Sequence, residues 1–457
     1  MLRPKTTLSR YGGWLPSNRA IHDSFVEQHI KEAKETLAQA DTSAARWIPA
    51  SGAVPLSYLT GGIRPSRGIL DYPEPRLLLN HIPSVTAFEI AIKSDPEMHD
   101  LFNQIFREAS PENQIPDFDH LLTMLDSILV APPKFHIAKD EDGNVIGEPI
   151  GVPVYLLFDL LSNTSAAYDL FRRPKFNVAL GALLNNWDEG WFSATAIASL
   201  ESNDRGDFNT TYICPDPNAV NRGYTSWDHF FTREIQPDAR PIHAPEDKSL
   251  IHSACESTVY RIARDVKEHD QFWLKGQAYS LYNMLARDTE YSEQLAGGTV
   301  YQAFLSPQDY HRWHAPFDGT IVKAVVVPGT YYAVLPDDGA PADDPDLKPG
   351  DPHGALIRSQ AFLTLSSARA LIYIKAKNPQ FGLMCFIGVG MAEVSTCEIR
   401  VTEGQEVKTG DLLGMFHFGG SSHAMIFGPQ AKITFADHVQ LDTHLKVNSI
   451  IAQVTAA

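Results

Sequence analysis

The chain has 457 residues, 44% of them apolar, and its 55 acidic residues outnumber its 38 basic residues to give a formal net charge of −17. This length can form two or three domains with sizeable cores. An acidic surface without a concentrated basic patch repels phosphate backbones and anionic headgroups, so a nucleic-acid partner is not expected.

Helical periodicity dominates the first half of the chain. Apolar residues recur there at intervals of three and four, the period of an amphipathic helix, over residues 22–40, 85–110, 117–130, 153–171 and 175–192. Two segments rich in Pro and Gly, 41–84 and 131–152, are predicted to be long connections. We therefore predict a helical N-terminal domain over residues 1–220.

Short β-branched runs replace the helical pattern from about residue 250. They include GTIVKAVVV (319–327), ALIYIKA (370–376) and AKITF (431–435), and turn signals separate them at the spacing typical of a sandwich or barrel. The acidic, proline-rich segment 336–354 is predicted to be a solvated loop. The predicted fold class is α+β, with a helical N-terminal domain followed by a β-rich, sandwich-like or barrel-like domain over residues 221–457.

The cysteines and the hydropathy pattern indicate the cellular compartment of the protein. The four cysteines show neither a disulfide framework nor the spacing of zinc ligands, so no metal is expected and a reducing, cytoplasmic compartment is favoured. The N-terminus lacks the apolar core of a secretory signal. No run of eighteen apolar residues occurs, so neither a transmembrane helix nor stable membrane insertion is expected.

The stretch FHFGGSSHAMIF (416–427) places Gly-Gly-Ser-Ser between apolar residues near the end of the chain. A glycine-serine pair between strands is usually only a turn. A glycine can also adopt strained backbone angles that other residues avoid, and such strain occurs at reactive sites. A functional interpretation therefore needs partner residues.

Candidate partners are two histidines and one carboxylate. His311 and His314 lie three residues apart among aromatic residues, where they could be structural, and no third ligand supports a metal site. Glu256 lies among small and apolar residues; it either caps a surface turn or is buried against a basic group such as an imidazole. Serine, histidine and carboxylate together can activate a hydroxyl nucleophile, but their chain order does not match the hydrolase elbow.

Four stretches in order resemble the phosphatidylserine decarboxylase family over roughly residues 220–457. They are YTSWDHFFTREIQPDARPI (224–242), FWLKGQAYSL (272–281), DYHRWHAPFDG (309–319) and FHFGGSS (416–422). Members of that family cut themselves before a serine and convert this serine into a pyruvoyl group.

Three departures from the family pattern suggest a particular branch. Glu256-Ser257 stands where the family has Asp-Gly, Ser422 stands where it has Thr, and no Asn-Glu precedes Arg369. The longer side chain of Glu256 alters the geometry expected of the acidic motif. Together with the long helical N-terminal domain, these variants resemble the fungal enzymes that decarboxylate free L-tryptophan.

The resemblance implies self-cleavage between Gly420 and Ser421. His314, oriented by Glu256, would take the hydroxyl proton of Ser421, which attacks the Gly420 carbonyl to form an ester. Elimination and hydrolysis of the resulting dehydroalanine would release ammonia and leave a pyruvoyl cap on a small chain, residues 421–457, that stays bound.

The same resemblance implies how a substrate would react. The ketone would form a Schiff base with the substrate amine and accept electrons in place of pyridoxal phosphate, which is not expected as a cofactor. His311 is the expected proton donor to the substrate Cα, with His314 as the alternative. The expected substrate-binding residues are Tyr310, Trp313, Phe317, Phe418 and Ser422.

The predicted function is decarboxylation of free aromatic L-amino acids, with L-tryptophan giving tryptamine and CO₂. Two alternatives stay open. One is a phosphatidylserine decarboxylase that makes phosphatidylethanolamine, since His311 is retained; the other is a lipid-binding relative that never cuts itself. The acidic charge and the absence of a predicted anchor weigh against the lipid enzyme.

Overall fold

The structure is a computed structural model and describes residue 11 and residues 13–43, 81–185, 208–219, 221–269, 279–393, 396–417 and 421–455. The helices before residue 186 in these ranges are α1 (Arg19–Ser43), α2 (Pro83–Lys93), α3 (Pro96–Glu108), α4 (Phe118–Leu129), α5 (Pro153–Ser162), α6 (Ser165–Leu170) and α7 (Pro174–Leu184). The predicted helical character of this half is confirmed.

Two of the predicted helical stretches are each divided in two. Residues 85–110 are interrupted because a proline inside a helix lacks the N–H and clashes with the preceding turn. Pro96 instead begins α3, and the Asp95 side chain accepts a hydrogen bond from the Met98 N–H. The stretch 153–171 is interrupted similarly at Thr164, whose hydroxyl caps α6.

The predicted connection over residues 131–152 is wrong, because it contains an antiparallel hairpin, β1 (Phe135–Lys139) with β2 (Val145–Pro149). Ile137 and Val145 are more than 60% exposed. The pattern of buried apolar residues by which a strand is predicted from a sequence is therefore weak here. The other predicted connection, 41–84, falls between residues 44 and 80 outside the described residues, as do residues 186–192 of the last predicted helix.

The remaining elements form a β-rich half with short helices between strands. They are α8 (Phe208–Thr211), α9 (Trp227–Phe231), β3 (Leu250–His252), β4 (Ser257–Val266), α10 (Leu281–Met284), α11 (Thr289–Leu295), β5 (Gly298–Leu305), β6 (Arg312–His314), β7 (Gly319–Val327), α12 (Ala355–Arg358), α13 (Gln360–Ser366), β8 (Arg369–Ala376), β9 (Leu383–Gly390), β10 (Thr396–Ile399), β11 (Glu406–Val407), β12 (Leu412–His417), β13 (Ser421–Phe427), β14 (Lys432–Phe435), β15 (His444–Leu445) and β16 (Ile450–Thr455).

An antiparallel eight-stranded sheet organises the β-rich half, with the strand order β11-β7-β8-β9-β13-β5-β4-β15 in the described residues. Two three-stranded sheets accompany it, β10-β12-β6 and β14-β16-β3. The predicted α+β class, with helices first and a β-rich part after them, is confirmed.

The large sheet separates two hydrophobic cores. Along β13, Ala424 and Ile426 belong to the core shared with the N-terminal helices, whereas Met425 and Phe427 belong to the core shared with the small sheets. Alternate residues of a strand point to opposite faces. The first residues of β13 therefore present their side chains to two different environments, and this division positions the site.

Within the described ranges, the search for a helix with the length and hydropathy needed to span a bilayer found none.

Candidate active site

The two serines that follow Gly420 lie at the start of β13 and have different surroundings. Both are fully buried. The Ser422 hydroxyl donates to the carbonyl of Ala303 at 3.1 Å and accepts from Gln302 Nε2 at 3.1 Å. The Ser421 hydroxyl has no hydrogen-bond partner in the described structure. Of the two, Ser421 is therefore the hydroxyl that is available for chemistry.

Strand pairing places Ser421 between two strands at one end of the sheet, where β13 begins and β5 and β9 end. It lies opposite Leu305 of β5 on one side and Gly390 of β9 on the other. Two predicted site residues, Gly420 and Phe418, lie outside the described residues, as do residues 272–278 of the motif at 272–281.

His314 is held by a carbonyl and a tyrosine. Its Nδ1–H donates to the Gly410 carbonyl at 2.8 Å, so its Nε2 accepts from the Tyr310 hydroxyl at 3.0 Å. Burial lowers the pKa of His314. The imidazole is therefore neutral at physiological pH, as a general base requires, but the lone pair of its Nε2 is occupied by the Tyr310 hydroxyl and not by Ser421.

Glu256 does not orient His314 as predicted. Its carboxylate oxygens accept from Nε and Nη2 of Arg240 at 2.8 and 2.9 Å, and both side chains are at most 5% exposed. The orienting group on His314 is the Gly410 carbonyl. A buried carboxylate needs a cation, and the structure supplies a guanidinium where the sequence analysis expected an imidazole.

His311 lies beside the strand that leads to the Gly-Gly-Ser-Ser segment. Its main-chain carbonyl accepts from the Phe416 N–H at 3.0 Å, and its ring stacks on Phe231 of α9 with centroids 4.1 Å apart. Its Nδ1–H donates to the Asp309 carbonyl at 2.9 Å. Since Phe416 is five residues before Ser421, His311 is anchored close to the predicted cleavage segment.

Asp309 is a buried residue that the sequence analysis did not single out. One carboxylate oxygen accepts from the Ser306 N–H at 2.7 Å, and the other is 3.0 Å from Nε2 of His444. His444 follows Ser421 in the chain, so this contact links the two sides of the predicted cleavage site. The signal in the sequence was an aspartate two residues before His311, in the motif DYHRWH.

The predicted aromatic walls divide into two groups. Trp313 is fully buried beside Phe386 and Phe416, with ring centroids 5.4 and 4.7 Å away. Phe317 instead stacks on Phe381 at 4.8 Å and lines a separate cavity of about 280 Å³. The contacts therefore favour Trp313 as a wall of the site and give no support to Phe317.

His423 is a further buried residue of β13 to which the sequence analysis gave no role. It is fully buried, and its ring stacks on Phe386 with centroids 5.8 Å apart. Neither ring nitrogen has a hydrogen-bond partner among the described residues. Burial lowers the pKa of His423 to about 3, so the imidazole is neutral.

Glu393 connects the end of β9 to the N-terminal helices. Its Oε2 accepts from the Tyr155 N–H at the start of α5 and from the Tyr332 hydroxyl, at 3.1 and 2.8 Å. Burial raises the pKa of Glu393 to about 7. A carboxyl group near a helix N-terminus is favourable, so Glu393 joins the helical part to the strand that pairs with Ser421.

Comparisons with known proteins identify the family. Two models of phosphatidylserine decarboxylase match the chain, one over residues 227–453 and the other over residues 82–213. A protein of Amanita muscaria named Decarboxylase iboD is 57% identical over 350 residues, which cover 73% of this chain and all of that protein. The chain belongs to the phosphatidylserine decarboxylase family.

Two further relatives of this decarboxylase have names that state a substrate. The L-tryptophan decarboxylase of Psilocybe cubensis is 32% identical over 439 residues, which cover 90% of this chain and 94% of that protein. Phosphatidylserine decarboxylase proenzyme 2 of Oryza sativa subsp. japonica is 29% identical over 226 residues, 50% of this chain and 32% of that protein. The family is pyruvoyl-dependent, and this decarboxylase is a carboxy-lyase.

Proposed function

We propose that this decarboxylase cuts its own chain between Gly420 and Ser421, converts Ser421 into a pyruvoyl group, and then removes CO₂ from free aromatic L-amino acids, with L-tryptophan as the preferred substrate. The large chain would end at residue 420. The domain division at residues 220 and 221 and the small chain 421–457 are part of this proposal.

The single observation that carries the proposal is the state of the Ser421 hydroxyl. It is buried, it has no hydrogen-bond partner among the described residues, and it begins a central strand. An unpaired buried hydroxyl costs free energy, so its presence in a folded protein needs an explanation. A hydroxyl that must attack the preceding carbonyl provides one, since a permanent acceptor other than the catalytic base would hold the hydroxyl away from that carbonyl.

His314 is the proposed base in the cutting step. In this step Tyr310 gives up its hydrogen bond to Nε2, and the neutral Nε2 takes the hydroxyl proton as Oγ of Ser421 attacks the Gly420 carbonyl. The bond between that carbonyl carbon and the Ser421 nitrogen then breaks. Loss of the Ser421 α-proton then expels the Gly420 carboxylate. Hydrolysis consumes one water and releases ammonia, so the two chains together balance the atoms.

The site residues also fit the decarboxylation step. The pyruvoyl group would bind the substrate amine and accept the electron pair of the breaking Cα–carboxylate bond. His311, anchored beside the segment that precedes Ser421, is the proposed donor of the proton that replaces the carboxylate on Cα. Trp313, Phe386 and Phe416 supply an apolar, aromatic surrounding that suits an aromatic side chain.

The substrate class is supported by the relatives' names. The relative that matches over 90% of this chain is named for L-tryptophan, whereas the matched phosphatidylserine decarboxylase of Oryza sativa aligns over half of the chain. Cofactor chemistry other than pyruvoyl, including pyridoxal phosphate, has no part in the proposal.

A pair of serine variants tests the cutting step. Ser421→Ala should leave one intact chain on a denaturing gel, because no hydroxyl is left to attack. Ser422→Ala is the matched control and should still be cut, since its hydroxyl is bonded to Ala303 and Gln302 on the opposite face of the strand. Mass spectrometry should show a small chain lighter by one ammonia than a fragment starting with serine. Cutting of Ser421→Ala at the same bond would refute the proposal.

The substrate is tested on the same preparation. Purified protein is incubated separately with tryptophan, phenylalanine, tyrosine and phosphatidylserine vesicles, and CO₂ and the product amine are measured. We expect the highest kcat/KM for tryptophan and none for the vesicles. Turnover of the vesicles alone would establish the lipid enzyme, and a cut chain without any turnover would reject the aromatic substrates.

A further inference from the structure

Three side chains beside the proposed reaction centre carry buried polar atoms without partners. They are Ser421 with its hydroxyl, His423 with both ring nitrogens, and Trp313 with its indole Nε1, and all three residues are fully buried. Within the described structure none of these atoms forms a hydrogen bond. Buried polar groups are nearly always paired in native proteins, so three in one place indicate a group that binds there.

Strand register brings these atoms to one face of the sheet. Ser421 and His423 are two residues apart on β13 and share a face. Directly opposite them on β9 lie Gly390 and Gly388, which have no side chains. The indole of Trp313 lies on Gly388, where an added Cβ would be 2.8 to 3.2 Å from three of its ring carbons, including Cε2, the neighbour of Nε1. The side of the indole that carries Nε1 thus lies on the glycine that pairs with His423.

The hydrogen-bonding chemistry of His423 and Trp313 determines which ligand they can bind. An indole N–H can only donate, so its partner must be an acceptor. A neutral imidazole has one donor nitrogen, and His423 is neutral because of its burial. The indole N–H of a tryptophan substrate is also a donor only and cannot pair with Trp313. The acceptor that every α-amino acid brings to the reaction centre is its carboxylate.

Distance also favours the carboxylate. One step from a residue to the next on the same face of a strand is about 6.7 Å. An amino acid whose nitrogen is bound at residue 421 has its carboxylate oxygens four bonds from the reactive carbon. With the length of one hydrogen bond added, these oxygens reach a donor on His423, which is one such step away.

We propose that the Trp313 Nε1–H and a ring N–H of His423 together form the subsite for the α-carboxylate of the substrate amino acid. This proposal rests on the proposed function, since it assumes that residue 421 carries the amine-binding group.

A carboxylate subsite of neutral donors suits decarboxylation. An apolar surrounding stabilises an ionised carboxylate less than water does, and two neutral donors offset only part of this loss. The negative charge is dispersed as CO₂ leaves, so the same surrounding penalises the bound substrate more than the transition state. A guanidinium would instead stabilise the carboxylate, and the nearby Arg240 is fully engaged by Glu256.

The test compares how much tryptophan and how much tryptamine, which lacks the carboxylate, can be trapped covalently on the small chain. Borohydride traps the amine by reducing its Schiff base, and this trapping is called capture below. Each amine is added below saturation, borohydride is added, and the mass of the small chain gives the fraction linked to amine, counting adducts with and without CO₂. In His423→Phe, tryptophan capture should fall about tenfold or more, the effect of losing a hydrogen bond to a charged group, while tryptamine capture stays unchanged. His423→Gln keeps a side-chain N–H donor and should recover part of the tryptophan capture.

Two further variants complete the design. Trp313→Phe removes the indole donor together with part of the ring that packs on Gly388 and Gly414, so it should lower tryptophan capture more than tryptamine capture. His252→Phe removes another buried histidine of the same half, whose ring Nε2 is bonded to the His243 carbonyl, and should capture both amines as wild type does.

The outcomes separate this proposal from the proposed function. If the wild-type small chain carries no pyruvoyl group, the proposed function fails. The wild-type protein gives a reference ratio of tryptophan capture to tryptamine capture. If His423→Phe and Trp313→Phe each give this same ratio, only the carboxylate subsite is refuted. If neither variant is cut, the two side chains act in cutting the chain, and the subsite is likewise overturned.

Discussion

At the scale of single residues, Arg240 and Glu256 form a buried ion pair. Both side chains are nearly inaccessible, and two parallel hydrogen bonds join them. Removing two charges from water is costly, and the ion pair offsets this cost only while both partners are present. Because Glu256 is bound to Arg240, it is not a partner of His314, whose neutral imidazole results from burial and is bonded to Gly410 and Tyr310.

Replacement of Glu256 by Gln should destabilise the protein by about 3 to 5 kcal/mol, because it leaves the Arg240 guanidinium buried without a counter-charge. The free energy of unfolding in urea, followed by tryptophan fluorescence, measures this loss. Glu406→Gln breaks the exposed pair with Lys377 and should cause no measurable change. Equal stability of Glu256→Gln and wild type would show that Arg240 does not depend on this carboxylate.

The role of a single residue could be predicted where a local sequence pattern determines it. It could not be predicted where the role depends on strand register or on the path of the chain. The need for a basic partner of Glu256 follows from burial alone, but the choice between an imidazole and Arg240, sixteen residues earlier, is made by the path of the chain in space. The different states of Ser421 and Ser422 follow from strand alternation. The role of His423 needed the pairing with Gly388, which no local pattern indicates.

At the scale of elements, the end of β12 is fixed to two neighbours just before the proposed cut. The imidazole of His417 is 2.9 Å from Asp228 of α9 and 3.0 Å from Glu398 of β10. Burial alone would lower the pKa of His417, but the hydrogen bonds and charges of the two carboxylates outweigh burial and raise it. The raised pKa favours the protonated form of His417, which joins three elements just before the proposed cut.

The stabilisation by His417 should depend on pH. Its folded-state pKa lies above the unfolded value of about 6.5, so the contribution is fully present below that pH and is lost as the pH rises through the folded pKa. His417→Gln should therefore be less stable than wild type at pH 6, by a margin that shrinks towards pH 9. Urea unfolding at a series of pH values gives the margin, with the exposed His438→Gln as control. A margin that grows with pH would contradict the raised pKa.

Elements could be predicted where one face is buried and not where both faces are exposed. The helical period identified the N-terminal helices, and β-branched runs identified β7, β8 and β14. The hairpin of β1 and β2 was missed because its apolar residues are exposed and its strands show no buried face. Helix boundaries at Pro96 and Thr164 depended on backbone hydrogen bonding, which a period alone does not report.

At the scale of the whole molecule, the segment after the proposed cut contributes to both large and small sheets. β13 pairs along seven residues with β5 on one side and with β9 on the other. β15 pairs with β4, and β16 pairs with β3 and β14. His444 also contacts the buried Asp309. Nothing in this arrangement depends on the peptide bond between Gly420 and Ser421, because the contacts are made by strands that are already in place.

The cut protein should therefore behave as one folded unit. The large and small chains should elute together in size-exclusion chromatography without denaturant and separate only in concentrated urea. Release of residues 421–457 would expose one edge of β9, one edge of β5 and the apolar faces of β13. Uncut Ser421→Ala is the control and should elute at the same volume. Loss of the small chain during chromatography in buffer would show that the peptide bond, rather than the sheet, holds this segment in place.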